Sequence, residues 1–147
     1  MSKDKLHIID TMFSHAHSSS WYNHPTDFEW VREDVGDKVV FTDTSLQQVS
    51  NIQNKKKYAW LMESPIVTSS QYKFIKENFD MFDEIFTFDS ELLDLSPKFT
   101  LVPLGGCWIE SDDRLVHDKT KNLSTIVSNK SFLPGHQLRH DIVNRFN

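Results

Sequence analysis

Tyr58-Ala-Trp-Leu-Met62, then Glu63-Ser64-Pro65, then a stretch from Ser69 to Phe79, then Glu84-Ile-Phe-Thr-Phe88: residues 58–88 read as a strand, a helix and a second strand. The flanking runs are short, apolar and aromatic, while Tyr72, Ile75 and Phe79 recur at helical spacing and give the middle segment one apolar stripe. Strand, helix and strand in that order fit a parallel pair joined by a crossover. The same texture extends outward to further expected strands at Leu6–Ile9, Lys38–Thr42, Phe99–Pro103 and Ser124–Ser128. Lys38-Val-Val-Phe41 continues without polar alternation, as a strand covered on both faces requires. The expected fold class is therefore α/β, a Rossmann-like, largely parallel sheet flanked by helices.

The 147 residues, 38% hydrophobic, suffice for one modest core and a remainder, and a net charge of -5 argues against a general nucleic-acid binder. Cys107 is the only cysteine, which leaves no disulfide framework and no cysteine-rich zinc site within one chain. Residues 1–20 are polar and lack the apolar centre of a signal peptide, and no apolar run reaches spanning length. A cytoplasmic location without a membrane span is the expectation. Asn122-Leu-Ser124 matches a glycosylation acceptor pattern, which without an export route is taken as chance.

Near residue 110 the texture changes. Glu110-Ser-Asp-Asp-Arg114 and His117-Asp-Lys-Thr-Lys-Asn122 are polar and charged. The expected organisation is an N-terminal Rossmann-like domain over 1–110, a linker over 111–121 and the start of a second domain over 122–147. That last part reads as a strand, a Pro134-Gly135 turn, and a helix with Leu138, Ile142, Val143 and Phe146 on one face and Arg139 in its first turn. A helix N-terminus presents unpaired N–H groups and a positive dipole end, and a guanidinium beside it can grip a diphosphate. An ordinary strand-to-helix connection with a solvated arginine is the alternative.

Glu63 is the second informative residue, because it follows an expected parallel strand at the end where α/β sheets place their ligand crevices. A carboxylate there can take a proton from a substrate hydroxyl. It can also be a helix cap or a solvated side chain. Asp43 follows another expected strand and could meet an acceptor hydroxyl, although a turn with Thr44 and Ser45 is the better expectation. His15-Ala-His17 suggests the His-x-His pair of metal-dependent hydrolases, but it lies five residues past Asp10 and no later Asp/His set completes a metal site. With Trp21 and Tyr22 the two histidines instead compose an aromatic, imidazole-rich loop suited to stacking on sugar rings, or a plain surface loop. Lys55-Lys-Lys57 is most simply a solvated edge, and Phe79, Met81, Phe82, Ile85, Phe86 and Phe88 are expected in the core.

In order, Glu63-Ser64-Pro65, Phe79-Asp-Met-Phe-Asp83, Ile85-Phe-Thr-Phe-Asp89, Val102-Pro-Leu-Gly-Gly106, Ser128-Asn129-Lys130 and Gly135-His-Gln-Leu-Arg139 resemble the fucosyltransferase-type glycosyltransferases of family 10, including their short microbial and viral versions. The resemblance is strongest over residues 58–146. It implies two Rossmann-like domains of GT-B type facing a cleft, the first handling a glycan acceptor and the second a nucleotide-sugar donor, GDP-fucose. By resemblance Glu63 is the general base, Arg139 contacts the donor diphosphate, and Ser128 and Asn129 line the donor cleft; His15, His17 and Trp21 are expected to face the acceptor from their own chemistry, since the resemblance is weak before residue 38. The implied transfer is inverting and needs no metal or cofactor.

The chain departs from the family in lacking the remainder of a donor domain, so the resemblance implies an acceptor half with the edge of a donor half, which a partner chain could complete. A noncatalytic carbohydrate- or nucleotide-binding α/β domain is the rival expectation, and a His-x-His metal-dependent hydrolase the third.

Overall fold

The computed structural model describes residues 3–11, 25–103 and 109–146. The chain divides after Arg114 into two compact units. The first is an α/β unit with six strands, β1 (Asp4–Ile9), β2 (Phe28–Val31), β3 (Lys38–Thr42), β4 (Lys56–Trp60), β5 (Glu84–Thr87) and β6 (Phe99–Leu101). They form one sheet in the order β2-β1-β3-β4-β5-β6, every neighbouring pair parallel. Between β3 and β4 runs a 3-10 segment, Asp43–Asn51; α1 (Ser69–Asn78) joins β4 to β5, and α2 (Ser90–Leu93) joins β5 to β6. The expected strand–helix–strand unit at residues 58–88 is present, with β4 beginning two residues earlier and stopping at Trp60. Residues Phe28–Val31 were not expected as a strand. They pair with β1 at the sheet's edge, His7 opposite Val31.

The register decides which side chains meet. Val39 and Phe41 of β3, Ala59 of β4, Ile85 of β5 and Phe99 of β6 share one face, and these join Leu46 and Val49, Tyr72 and Ile75 of α1, Phe82, and Leu92 of α2 in a single buried cluster. Phe79 packs against that cluster, so the stripe Tyr72, Ile75 and Phe79 faces the sheet. From β3 to β6 the chain always steps in the same direction, and right-handed crossovers that do so fall on one face. The 3-10 segment, α1 and α2 accordingly pack on this face of a Rossmann-like parallel sheet.

The opposite face is aromatic. Leu6, Phe28, Trp30, Val40, Tyr58, Trp60, Phe86 and Val102 line an apolar groove of about 350 Å3 there, together with Lys38. Trp30 and Trp60 stand on strands separated by β1 and β3, yet their rings stack 6.3 Å apart.

The second unit, from Leu115 onward, contains α3 (Pro134–Phe146). Residues 124–128 are not a strand, which corrects the expected first strand of a second Rossmann-like domain. The reason is that a strand makes none of its hydrogen bonds within itself. Thr125, Ile126 and Val127 favour extended backbone, but favourable residues without a neighbouring strand leave every N–H and C=O to water. α3 closes its bonds locally and forms, although none of its residues is buried.

Candidate functional site

In an open parallel sheet, ligands bind outside the carboxyl ends of the strands, at the point where successive connections leave in opposite directions. Here the chain goes from β1 outward to β2, returns across β1 to β3, and continues to β6, so that point lies between β1 and β3. Polar side chains gather at this edge. Arg32, just after β2, is paired with the buried carboxylate of Asp10, just after β1, at 2.9 Å. The hydroxyls of Thr11 and Thr44 are in direct contact, tying the end of β1 to the end of β3.

Glu63 follows β4 at the same edge and is half-buried. Leu61 still extends the sheet ladder, donating its N–H to the Phe86 carbonyl at 2.9 Å. Beyond it the neighbouring chain has already coiled into the 3-10 segment, and the next two N–H groups turn to a side chain instead. Met62 and Glu63 both donate to Oδ1 of Asp43, at 3.0 and 3.2 Å. The Glu63 carbonyl oxygen accepts from the Tyr72 hydroxyl at 2.8 Å. Both backbone polar atoms of Glu63 are therefore held by side chains of other elements, while its carboxylate stays partly open. The N-cap of α1 is Thr68, so Glu63 does not cap that helix.

Burial is the main influence on the groups around Glu63. The Tyr72 hydroxyl is pushed up to about 12 by burial, with the charges of Asp89 and Asp43 adding to the effect. A phenol held neutral so firmly remains a hydrogen-bond donor across the physiological range. Thr87 is buried beside it and accepts the Asp89 N–H at 3.1 Å, and Asp89 in turn caps α2 by accepting the Leu92 N–H at 3.0 Å. Asp43 and Tyr72 are the residues that sequence reasoning did not assign to this site. Asp43's position after a strand was visible, but a hydrogen bond that crosses to residues 62 and 63 was not.

The donor-side candidates lie in the second unit. Ser128 and Asn129 are exposed, in irregular chain rather than at a strand end. Asn129 and Ser131 line a polar groove of about 520 Å3 with Gln137, His140, Asp141 and Asn144 of α3. Gln137 donates to the Ser131 carbonyl at 3.2 Å, and the His140 ring lies 3.0 Å from the Lys130 carbonyl. Arg139 is not part of this groove. Since α3 starts at Pro134, Arg139 stands in its second turn rather than its first, exposed on the side away from Gln137 and Asp141. The first turn lies behind it, and there His136 and Gln137 already donate their N–H groups to the Leu133 carbonyl.

His15, His17 and Trp21 lie outside the described residues. Among the described residues no group of three His, Cys, Asp or Glu side chains could hold a metal ion, and no helix is long and apolar enough to cross a membrane. No family model, curated protein or solved structure matches this chain, so its function rests on the geometry of its own residues.

Proposed function

We propose that the chain is a fucosyltransferase-like glycosyltransferase, or the acceptor-side part of one with GT-B architecture, which moves a sugar from GDP-fucose to a glycan hydroxyl with inversion. One observation carries this reading: Glu63 offers a partly open carboxylate at the carboxyl end of an inner parallel strand, with its N–H and C=O both fixed by buried side chains. A general base needs that combination of fixed backbone and accessible oxygen.

The chemistry follows from the groups. The acceptor hydroxyl gives its proton to the Glu63 carboxylate as its oxygen bonds to the anomeric carbon from the face opposite the phosphate. The bond from that carbon to the phosphate oxygen breaks, and GDP leaves with the electron pair. On the donor side, Arg139 takes the charge that grows on the diphosphate. His15, His17 and Trp21 offer imidazole and indole surfaces to the acceptor sugar.

A second reading, a noncatalytic carbohydrate- or nucleotide-binding domain, is favoured by one feature of the second unit. Its helix buries none of its residues, and electrostatic stabilisation of a leaving group is strong only where water is excluded.

Calorimetric titration with GDP-fucose and GDP, against UDP-sugars as controls, separates the readings. GDP-selective binding that Arg139→Ala weakens supports a donor site. Glu63→Gln is then expected to lower GDP release in the presence of a glycan panel by roughly a hundredfold or more, with the melting curve unchanged. Undiminished release by that variant removes Glu63 as the base, and absence of nucleotide binding leaves the noncatalytic reading.

A further inference from the structure

We infer that Asp43 is the positioning residue for Glu63: its carboxylate takes the place of a missing strand and fixes where β4 presents the Glu63 side chain. The functional part of this inference rests on the reading of Glu63 as the base. Its structural part does not.

Three features single Asp43 out. First, its backbone has φ of 31°, in the left-handed region that residues other than glycine seldom occupy. Such a conformation persists only where the surroundings impose it, and it gathers at functional edges. Second, the residue is fully buried, and its second oxygen, Oδ2, accepts no hydrogen bond among the described residues. Burial raises the proton affinity of the carboxyl, the N–H groups of Glu63 and Met62 oppose that, and the nearby Glu63 charge adds to it. Third, β3 ends at Thr42, opposite Trp60, so the chain beyond Leu61 has no backbone partner on that side. Asp43 Oδ1 supplies the acceptor for two consecutive N–H groups.

A turn alone explains neither the burial nor the strain. Asn or Gly would make the same turn with no carboxylate to desolvate. The strained backbone instead aims the carboxylate at a point in the sheet where an inner strand runs out of partners, and the residue delivered there is Glu63. Tyr72 closes the clamp from α1. The charged groups acting on the Tyr72 phenol are Asp89 from the cap of α2, Asp43 from the 3-10 segment and Glu63 itself.

The test is nuclear magnetic resonance on the full chain without ligand. In Asp43→Ala, amide exchange at Met62 and Glu63 is expected to speed up by on the order of ten- to a hundredfold, while Ala59 and Ile85 keep their protection. In Asp43→Asn, which tolerates the backbone and keeps one acceptor oxygen, protection at both amides is expected to survive. The Met62 and Glu63 amide proton shifts should then move upfield of the wild type, because a neutral acceptor makes weaker hydrogen bonds than a carboxylate. A role confined to the turn would leave those two shifts in place.

Unchanged exchange at Met62 and Glu63 in a folded Asp43→Ala variant overturns the inference. If that variant does not fold, the Asn variant decides, and unmoved Met62 and Glu63 amide shifts overturn it. Neither readout depends on turnover, so a failure of the glycosyltransferase reading, seen with Glu63→Gln, stays distinguishable from a failure of this one.

Discussion

The two units of this chain use apolar residues in opposite ways. In the first, Val39, Phe41, Leu46, Ala59, Ile75 and Ile85 are completely sealed from solvent by one another. In the second, Val116 and Ile126 are almost fully exposed, and Leu123, Phe132, Leu138 and Phe146 are mostly so. The compositions do not explain the contrast, since Ser124-Thr-Ile-Val-Ser128 is as strand-like as Lys38-Val-Val-Phe-Thr42. The difference is neighbours. β3 lies between β1 and β4 and beneath a layer of helices, whereas among the described residues no strand pairs with residues 124–128. Strand formation is a tertiary event and helix formation a local one, so the second unit keeps its helix and no strand.

The largest expected break in this comparison comes from truncating a side chain in each unit. Phe41→Ala should destabilise the sheet unit by about 3–5 kcal/mol, because it removes a sealed ring that packs edge-on against Phe82 at 6.1 Å. Ile126→Ala should stay within about 0.5 kcal/mol. Urea unfolding of both variants measures this, and similar losses would show that the second unit has a core of its own.

A smaller effect would sharpen the contrast from the other side. Gly135 lies in the first turn of α3, and a methyl group there would meet nothing within 4 Å. Gly135→Ala should therefore favour α3 by about half a kcal/mol through backbone propensity alone. The expected result is stronger helical circular dichroism with the sheet transition unmoved. A shift of the sheet transition would contradict a locally determined helix.

The smallest effect concerns His7, buried on β1, with Asp34 at 3.4 Å. Burial first, and the Lys55 charge second, hold its pKa below 6.5, while Asp34 and Glu33 act against them. The unfolded chain thus takes up a proton more readily than the folded one. Stability from His7 is complete above the unfolded value of 6.5 and is lost as pH falls through it towards the folded value. His7→Gln should flatten the stability curve below that point, which unfolding at about pH 5.5 and 7.5 would reveal.

Much of the fold was legible because it depends on periodicity. The stripe Tyr72, Ile75 and Phe79 marked α1, and the apolar runs at residues 6–9, 38–42 and 84–88 marked β1, β3 and β5. Glu63 was visible as a candidate because a position after a parallel strand is a position in the site. β2 was less legible: Phe28-Glu-Trp-Val31 is only four residues long, and what makes it a strand is the edge of β1.

By itself, then, the sequence determined the alternation of strands and helices, a helix over residues 136–146 and the place of Glu63 along the chain, all of which rest on spacing within a few turns. Only the tertiary structure decided which apolar runs became strands, which face of the sheet was covered, and that Asp43 and Tyr72 would meet Glu63. Those outcomes depend on hydrogen bonds and contacts between residues distant in sequence, and no local pattern encodes which distant group will be there to accept them.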